Sequence, residues 1–191
     1  MSILFLDRGL SASTRNSKTK LAQYAYLYVA PTRHCGLGLF TARSWAAGSV
    51  LLRVEDPHYQ ATARPYAQLF ASGYTYSELF QVGMDLFIPP YGALDDFTNH
   101  SCEPNCGLRV GISGFVMIAL ENIAAHQELT YDYSTHQEHP QDYMVCNCGT
   151  PSCRRVIGSF SSLSPELRRY YLQLDVVAGF AKIAATRAAA G

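Results

Sequence analysis

The residues with the most recognisable chemistry are three cysteines near the C-terminal end, Cys146, Cys148 and Cys153, which lie within eight residues of one another. Cysteine thiolates bind Zn²⁺ tetrahedrally, and a structural site closes when a fourth sulfur or an imidazole joins them. The other cysteines and the nearest histidines offer that fourth ligand: Cys35, Cys102, Cys106, His136 and His139. The sequence therefore predicts a structural zinc site and leaves its fourth ligand open.

The six cysteines of the chain form an even number, which also suits a disulfide framework. The apolar stretch at the start of the chain, from Ile3 to Leu6, is too short for a secretory signal. Disulfides are rare in reducing compartments. We therefore expect an intracellular, soluble protein, cytoplasmic or (in a eukaryote or a host cell) nuclear, whose clustered cysteines bind metal.

Three further segments place polar residues or glycines between apolar strands. Residues 35–40 read Cys-Gly-Leu-Gly-Leu-Phe, residues 95–105 read Asp-Asp-Phe-Thr-Asn-His-Ser-Cys-Glu-Pro-Asn, and residues 128–133 read Glu-Leu-Thr-Tyr-Asp-Tyr. The first is a weak dinucleotide motif, because Thr41 stands where the third glycine would be. Each segment alone suits an ordinary turn or strand end.

The elements that must position these segments are mostly strands. Period-two or continuous apolar patterns predict strands near residues 24–29, 39–40, 50–52, 81–88, 115–120 and 129–133. Pro89 and Pro90 end the fourth of these, since proline cannot continue a hydrogen-bonded ladder. Ser164 as N-cap, followed by Pro165 and Glu166, predicts the start of a helix. The pattern indicates a mainly β protein with short helices.

The charge distribution restricts the partners. The chain has 15 basic and 15 acidic residues, and 48% of it is hydrophobic, which excludes a disordered chain. Residues 65–153 carry one basic residue against ten acidic ones, a balance of −9, whereas the flanking segments are basic. The acidic middle favours a cationic partner and argues against direct nucleic-acid binding. No apolar run is long enough for a membrane span.

Taken together and in this order, the segments resemble the SET-domain protein lysine methyltransferases, in the compact branch of bacterial or viral size. Residues 99–105 match the family motif Asn-His-Ser-Cys-x-Pro-Asn, and residues 128–133 match Glu-Leu-x-Phe/Tyr-Asp-Tyr. Residues 146–153 match the zinc-binding post-SET segment, and the glycine turn opens the resemblance. Asp96-Phe97 departs from the family's frequent Arg-Phe, and residues 55–59 replace its Tyr-x-Gly-Glu.

The resemblance implies a fold of small curled β-sheets with a pseudoknot, a post-SET zinc segment and a C-terminal helix. The implied domains are an N-terminal extension (1–23), the SET domain (24–134), the post-SET segment (135–157) and a C-terminal helical extension (158–191). It also implies a site for S-adenosylmethionine, formed by Cys35, Gly36, Leu37, Tyr76, Asn99, His100 and Asn147. One structural Zn²⁺ would be bound by Cys102, Cys146, Cys148 and Cys153.

The resemblance implies transfer of methyl groups to the lysine ε-amine of a basic protein such as a histone or a histone-like protein. Tyr133 would orient the amine and the methyl group, and Tyr131 would limit the product mainly to monomethyl-lysine with some dimethyl-lysine. The alternative is a non-catalytic SET-like module that binds a basic peptide or a partner protein. The presence of Asn99, His100 and Tyr133 argues against that alternative, because a pure binding module has no need for a cofactor site.

Overall fold

The computed structural model describes residues 24–55, 60–111, 113–138 and 143–188. The strands are β1 Leu27–Pro31, β2 Leu37–Thr41, β3 Val50–Glu55, β4 Phe80–Gly83, β5 Leu86–Ile88, β6 Asn99–His100, β7 Cys106–Gly111, β8 Gly114–Ala119, β9 Thr130–Tyr131, β10 Met144–Val145 and β11 Val156–Ile157. The α-helices are α1 Tyr66–Ala71, α2 Pro165–Gln173 and α3 Gly179–Ala188. Single 3₁₀ turns occupy Gln60–Thr62, Tyr76–Glu78, Leu94–Phe97, Tyr133–His136 and Phe160–Ser162. The predicted class, mainly β with short helices, is confirmed.

The strands form several small sheets rather than one large one. The order β3-β8-β7 makes a three-stranded antiparallel sheet, and β1-β2, β4-β5 and β10-β11 make antiparallel pairs. The largest apolar core lies between them, with Leu39, Leu52, Met117 and Leu129 almost completely buried. Residues this far inside hold the sheets together, because each fully buried side chain contributes about 1.5–3 kcal/mol.

The pairing of β6 with β9 matters most for the site. These two short strands are parallel, with Asn99 opposite Thr130 and His100 opposite Tyr131. The peptide N–H of Ser101 continues the pairing by donating to the carbonyl oxygen of Tyr131 at 3.1 Å. Two polar segments about thirty residues apart in the sequence therefore lie side by side in the fold.

Helix α2 starts where the sequence predicts. The Ser164 side chain accepts a hydrogen bond from the backbone N–H of Leu167, and Pro165 occupies the first helical turn. Tyr171 is buried in a second apolar cluster with Phe160 and Val176, whereas Tyr170 is 48% exposed. The helix thus packs on the β core through one side only.

One strand prediction was wrong. Residues 81–88 form part of a hairpin, with β4 ending at Gly83 and β5 beginning at Leu86. Met84 and Asp85 form the turn and are both exposed, which interrupts the apolar run that a single strand would need. The predicted N-terminal extension, residues 56–59 and His139 lie outside the described residues. Within the described part of the chain, none of the helices has the length and apolarity that crossing a membrane requires.

Candidate functional site

Four cysteines meet at one point of the structure. The Sγ atoms of Cys102, Cys146, Cys148 and Cys153 all lie within 4.8 Å of one another. The Sγ of Cys146 is 3.6 Å from that of Cys102 and 3.6 Å from that of Cys153. A tetrahedral ion with four Zn–S bonds of about 2.3 Å would separate its sulfurs by about 3.8 Å. The donor set and its spacing therefore fit Zn²⁺.

The other ligands offered by the sequence lie elsewhere. The thiol of Cys106 is fully buried and donates to the side-chain oxygen of Asn105 at 3.2 Å. Cys35 is exposed on the glycine turn, and His136 is buried in the wall of a cavity described below. The structure thus brings together the four cysteines that the family resemblance implies.

Backbone geometry holds the cysteine cluster. Gly149 has a φ of +73°, a left-handed conformation that glycine adopts without strain, and the turn closes with the N–H of Cys153 on the carbonyl of Thr150 at 3.1 Å. The peptide N–H of Arg154 points at the Sγ of Cys102 at 3.4 Å. Such N–H···S contacts favour the thiolate form that metal binding requires.

His100 links the cysteine cluster to Tyr133. Its Nδ1 accepts the backbone N–H of Tyr133 at 3.1 Å, and its Nε2 lies 3.3 Å from the Sγ of Cys102. Because Nδ1 accepts, the ring proton is on Nε2 and points at the sulfur. Burial lowers the pKa of His100 to about 4, although Asp132 lies nearby, so the ring is neutral. The imidazole therefore fixes the backbone of Tyr133 relative to Cys102.

Asp132 ties three chain segments together through its buried carboxylate. Its Oδ1 accepts from the guanidinium of Arg154 at 2.7 Å and from the N–H of Ser134 at 3.1 Å. Its Oδ2 accepts from the hydroxyl of Tyr171 on α2 at 2.9 Å. A buried carboxylate is stable only when such partners compensate its charge. Helix α2 therefore supports the segment that carries Tyr133.

The glycine turn is anchored by Asn99. Its amide nitrogen donates to the carbonyl oxygen of Leu37 at 2.9 Å and to Oε1 of Glu128 at 2.8 Å. A Cβ on Gly38 would lie 2.4 Å from that Glu128 oxygen, so only glycine fits there. The turn itself, Cys35 to Leu37, is exposed to solvent. Its backbone is held by hydrogen bonds, because the N–H of Cys35 donates to Oγ1 of Thr32 at 2.9 Å and the carbonyl oxygen of Gly36 accepts the N–H of Thr32 at 2.8 Å. The turn therefore presents a fixed, exposed surface to a ligand.

The post-SET segment lies against this turn. The imidazole of His34 packs on the α-carbon of Gly149, where a Cβ would lie 2.8 Å from Nε2. The pKa of Cys35 is raised by desolvation and by the negative charges of Glu128 and Cys148, which places these groups close together. Asn147 is exposed beside them. Cys35 and Asn147, which are predicted to bind the cofactor, thus lie on two segments that contact each other.

Tyr76 is placed differently. Its ring packs at 5.6 Å from Phe87 and at 5.8 Å from Tyr66, in a separate apolar cluster that also contains Leu69 and Leu79. Its role in binding a cofactor stays a prediction that rests on the family resemblance.

Tyr131 and Tyr133 line a cavity of about 90 Å³. Their ring centroids are 4.8 Å apart, and the Tyr133 hydroxyl donates to the carbonyl oxygen of Thr98 at 2.8 Å. Burial raises the pKa of Tyr133, so its phenol stays protonated. Because its one proton is donated to Thr98, the phenol oxygen can act only as an acceptor toward a ligand.

The same cavity wall carries buried polar atoms that have no hydrogen-bond partner among the residues the structure describes. They are Asp95 Oδ1, Thr98 Oγ1, His136 Nε2 and Gln137 Oε1. Burial, opposed by the hydrogen bond from the Tyr91 hydroxyl, raises the pKa of Asp95 to about 6. Three of the four atoms are acceptors with an unshared lone pair, and the fourth is a hydroxyl. The arrangement suits a ligand that is rich in N–H donors.

Sequence reasoning assigned none of these four residues to a ligand in the cavity. The departure at Asp96-Phe97 was the one available signal, since it placed acidic residues where the family often has Arg-Phe. Arg154 and Tyr171 were missed because their partner, Asp132, is distant in the sequence.

Comparisons with known proteins agree with this geometry. A model of the SET domain matches residues 36–134, just over half of the chain. Histone-lysine N-methyltransferase 2B of Homo sapiens is 33% identical over 130 residues, which are 64% of this chain and 5% of that protein. The H3 lysine-4 specific histone-lysine N-methyltransferase of Saccharomyces cerevisiae is 32% identical over 129 residues, which are 61% of this chain and 12% of that protein. The chain thus spans only a small part of these curated relatives.

Solved structures share the fold. Arabidopsis thaliana SUVH6 in complex with SAM superposes with a TM-score of 0.56 at 23% identity, covering 69% of this chain and 32% of that one. KRYPTONITE in complex with mCHH DNA, an H3(1-15) peptide and SAH superposes with a TM-score of 0.50 at 24% identity, covering 69% of this chain and 29% of that one. At these identities the likeness concerns the fold.

Proposed function

Because the chain belongs to the SET-domain family, we propose that it is a protein-lysine N-methyltransferase that uses S-adenosylmethionine as methyl donor. The observation that carries this proposal is the Tyr131–Tyr133 pair, which lines a cavity whose buried acceptors suit a cationic amine. The named histone-lysine methyltransferases among the relatives support the same activity.

The residues around the glycine turn fit the methyl donor. Cys35, Gly36 and Leu37 are exposed on the turn, and Asn147 is exposed on the segment that contacts it. Asn99, held by its hydrogen bonds to Leu37 and Glu128, would complete this surface, and the buried His100 would support it from inside the protein. S-adenosylmethionine supplies an electrophilic methyl group on a positively charged sulfur.

Tyr133 would orient the attacking amine. Since its proton is donated to the Thr98 carbonyl, its oxygen can act only as an acceptor and can therefore accept an N–H of the amine. Holding two reactants in the correct geometry corresponds to an effective molarity of about 10⁵–10⁸ M. We therefore assign Tyr133 the role of alignment, and its high pKa excludes a role as a base at neutral pH.

The amine must be neutral when it attacks, although a free lysine has a pKa of about 10.4. The aromatic wall formed by Tyr131, Tyr133 and Phe80 disfavours the charged form, because desolvation lowers the pKa of an amine. Asp95 acts earlier, since its carboxylate can pair with the ammonium as the side chain enters. The proton then passes to solvent.

A basic protein such as a histone or a histone-like protein is the proposed substrate. The balance of −9 over residues 65–153 and the carboxylate of Asp95 in the cavity favour a cationic, lysine-containing segment. The yeast relative is named for H3 lysine-4, and KRYPTONITE was solved with an H3 peptide. Both support a histone tail as the first substrate to test.

The proposed product is mainly monomethyl-lysine with some dimethyl-lysine. Tyr131 packs against Tyr133, and its phenol occupies space that a methylated amine would need in order to turn. We also propose that the four-cysteine cluster binds one structural Zn²⁺, which would hold the segment that carries Asn147.

Incubation with radiolabelled S-adenosylmethionine and mixed core histones tests the activity. Transfer of label to a histone lysine supports it. Bound S-adenosylmethionine without transfer to any basic protein would favour the alternative, a SET-like module that only binds.

A further inference from the structure

His136 is a buried histidine that the proposed mechanism does not use. It ends the 3₁₀ turn that starts at Tyr133, is 2% exposed and belongs to the cavity wall. Its ring stacks on Phe80 at 5.7 Å and meets Tyr131 edge to face at 5.8 Å. It therefore stands directly beside the residue that we expect to limit methylation.

The proton on this imidazole can be placed from its neighbours. The hydroxyl of Thr135 donates its single proton to the carbonyl oxygen of Asp132 at 2.7 Å. The same hydroxyl lies 2.8 Å from Nδ1 of His136, and it can only accept there. Nδ1 therefore carries the proton, and Nε2 has a bare lone pair.

That lone pair is buried and, within the described part of the chain, has no hydrogen-bond donor. Burial lowers the pKa of His136 to about 3, so the ring remains neutral and Nε2 remains an acceptor at physiological pH. An unsatisfied buried acceptor costs free energy until a donor reaches it. His136 belongs to the cavity wall, and because Nε2 itself is inaccessible to water, a donor that enters the cavity reaches it when the neighbouring side chains of the wall shift.

We propose that His136 Nε2 accepts an N–H from the nitrogen of the substrate lysine and thereby makes the cavity discriminate between methylation states. The inference rests on the proposed lysine methyltransferase function. Each added methyl group replaces an N–H, and a trimethylated nitrogen has none left to donate. The neutral amine that attacks has two N–H groups before methylation, one after the first methylation and none after the second, so methylation leaves Nε2 or the Tyr133 oxygen without a donor. His136 therefore acts in the same direction as Tyr131 and opposes further methylation.

Binding of small amines tests the inference without a peptide or turnover. n-Butylammonium and n-butyltrimethylammonium mimic the lysine side chain before and after full methylation, and their affinities can be measured by NMR titration. Hydrogen bonds to charged groups change such affinities about 10- to 100-fold. We expect the ratio of the two affinities to fall by about tenfold in His136→Phe, which keeps a ring between Phe80 and Tyr131.

Three further variants complete the test. His136→Gln retains an acceptor and should restore most of the ratio, whereas His126→Asn, at an exposed histidine bonded to Tyr28, should leave it unchanged. If His136→Phe does not fold, Thr135→Val serves instead, because it removes the acceptor that keeps the proton on Nδ1. An unchanged ratio in the folded variant would overturn the inference.

The amine experiment also separates this inference from the proposed function. With histones as substrate, His136→Phe should raise the ratio of dimethyl- to monomethyl-lysine about 2- to 13-fold, as expected for one neutral hydrogen bond. If His136→Phe changes the ratio of the two amine affinities but the unmodified protein methylates no histone, the proposed function is wrong. His136 would then still act as a hydrogen-bond acceptor for a bound amine.

Discussion

Replacing Asp95 by asparagine should stabilise the free protein and weaken its binding of substrate. Burial raises the pKa of Asp95 to about 6, above the usual 3.8. Because the folded state then holds the proton more tightly than the unfolded chain, the free energy of unfolding falls as pH rises from about 4 to 6. Asparagine does not titrate, so it avoids this loss.

The size of the effect follows from the shift. A rise of about two units in the pKa of Asp95 lowers the free energy of unfolding by at most about 3 kcal/mol at pH values above 6. The hydrogen bond from the Tyr91 hydroxyl loses its charged acceptor and offsets about 1 kcal/mol of this. We therefore expect a net gain of about 1–2 kcal/mol at pH 7.5, which raises Tm by about 3–6 °C. Near pH 4 the gain should vanish.

Urea denaturation at pH 4 and pH 7.5 measures the stability, and KM for histone substrate measures the function. Without the carboxylate to pair with the entering ammonium, KM should rise about tenfold or more. Glu121→Gln removes the same charge from an exposed position and should change neither quantity appreciably. A loss of stability at pH 7.5, or an unchanged KM, would refute the assignment of Asp95 to the substrate cavity.

Three other changes test separate parts of the account. Tyr131→Phe should raise di- and trimethylation about 2- to 13-fold without abolishing activity. The prediction would be contradicted if mass spectrometry found trimethyl-lysine as the dominant early product of the unmodified protein. Tyr171→Phe should lower the free energy of unfolding by about 1.5–3 kcal/mol, since it leaves the buried Asp132 oxygen unpaired. The matched control Tyr170→Phe, at an exposed residue, should lower it by less than about 0.5 kcal/mol. Equal values for the two variants in urea denaturation would contradict a stabilising hydrogen bond from Tyr171 to Asp132. Metal analysis should find one zinc ion per chain. Removal of the zinc by chelation should weaken the binding of S-adenosylmethionine while the β core stays folded. The prediction would be wrong if protein purified without chelators contained no zinc.

The sequence predicted best what depends on local physics. The start of α2 at Ser164 follows from capping by a side chain next to the helix itself. The strand predicted at 81–88 was wrong, because a two-residue turn inside an apolar run leaves almost no trace in the hydrophobic pattern. Local pattern thus indicates elements but not how they reverse direction.

The site was predictable only as far as motifs reach. The cluster of Cys146, Cys148 and Cys153 is visible in the sequence, whereas Cys102 comes from a distant segment and needed the family resemblance. The acceptors of the cavity come from separate elements, and the lone pair of His136 depends on the single proton of Thr135. Such properties arise from tertiary contacts, so no spacing in the sequence encodes them.

The most direct test of the central claim compares methyl transfer by the unmodified protein and by Tyr133→Phe, with S-adenosylmethionine binding measured alongside. The substitution removes only the hydroxyl that bonds to the Thr98 carbonyl. We predict methylated histone lysine by mass spectrometry for the unmodified protein and a rate lower by orders of magnitude for the variant, with cofactor binding retained. A variant that methylates at nearly the unmodified rate would contradict the account.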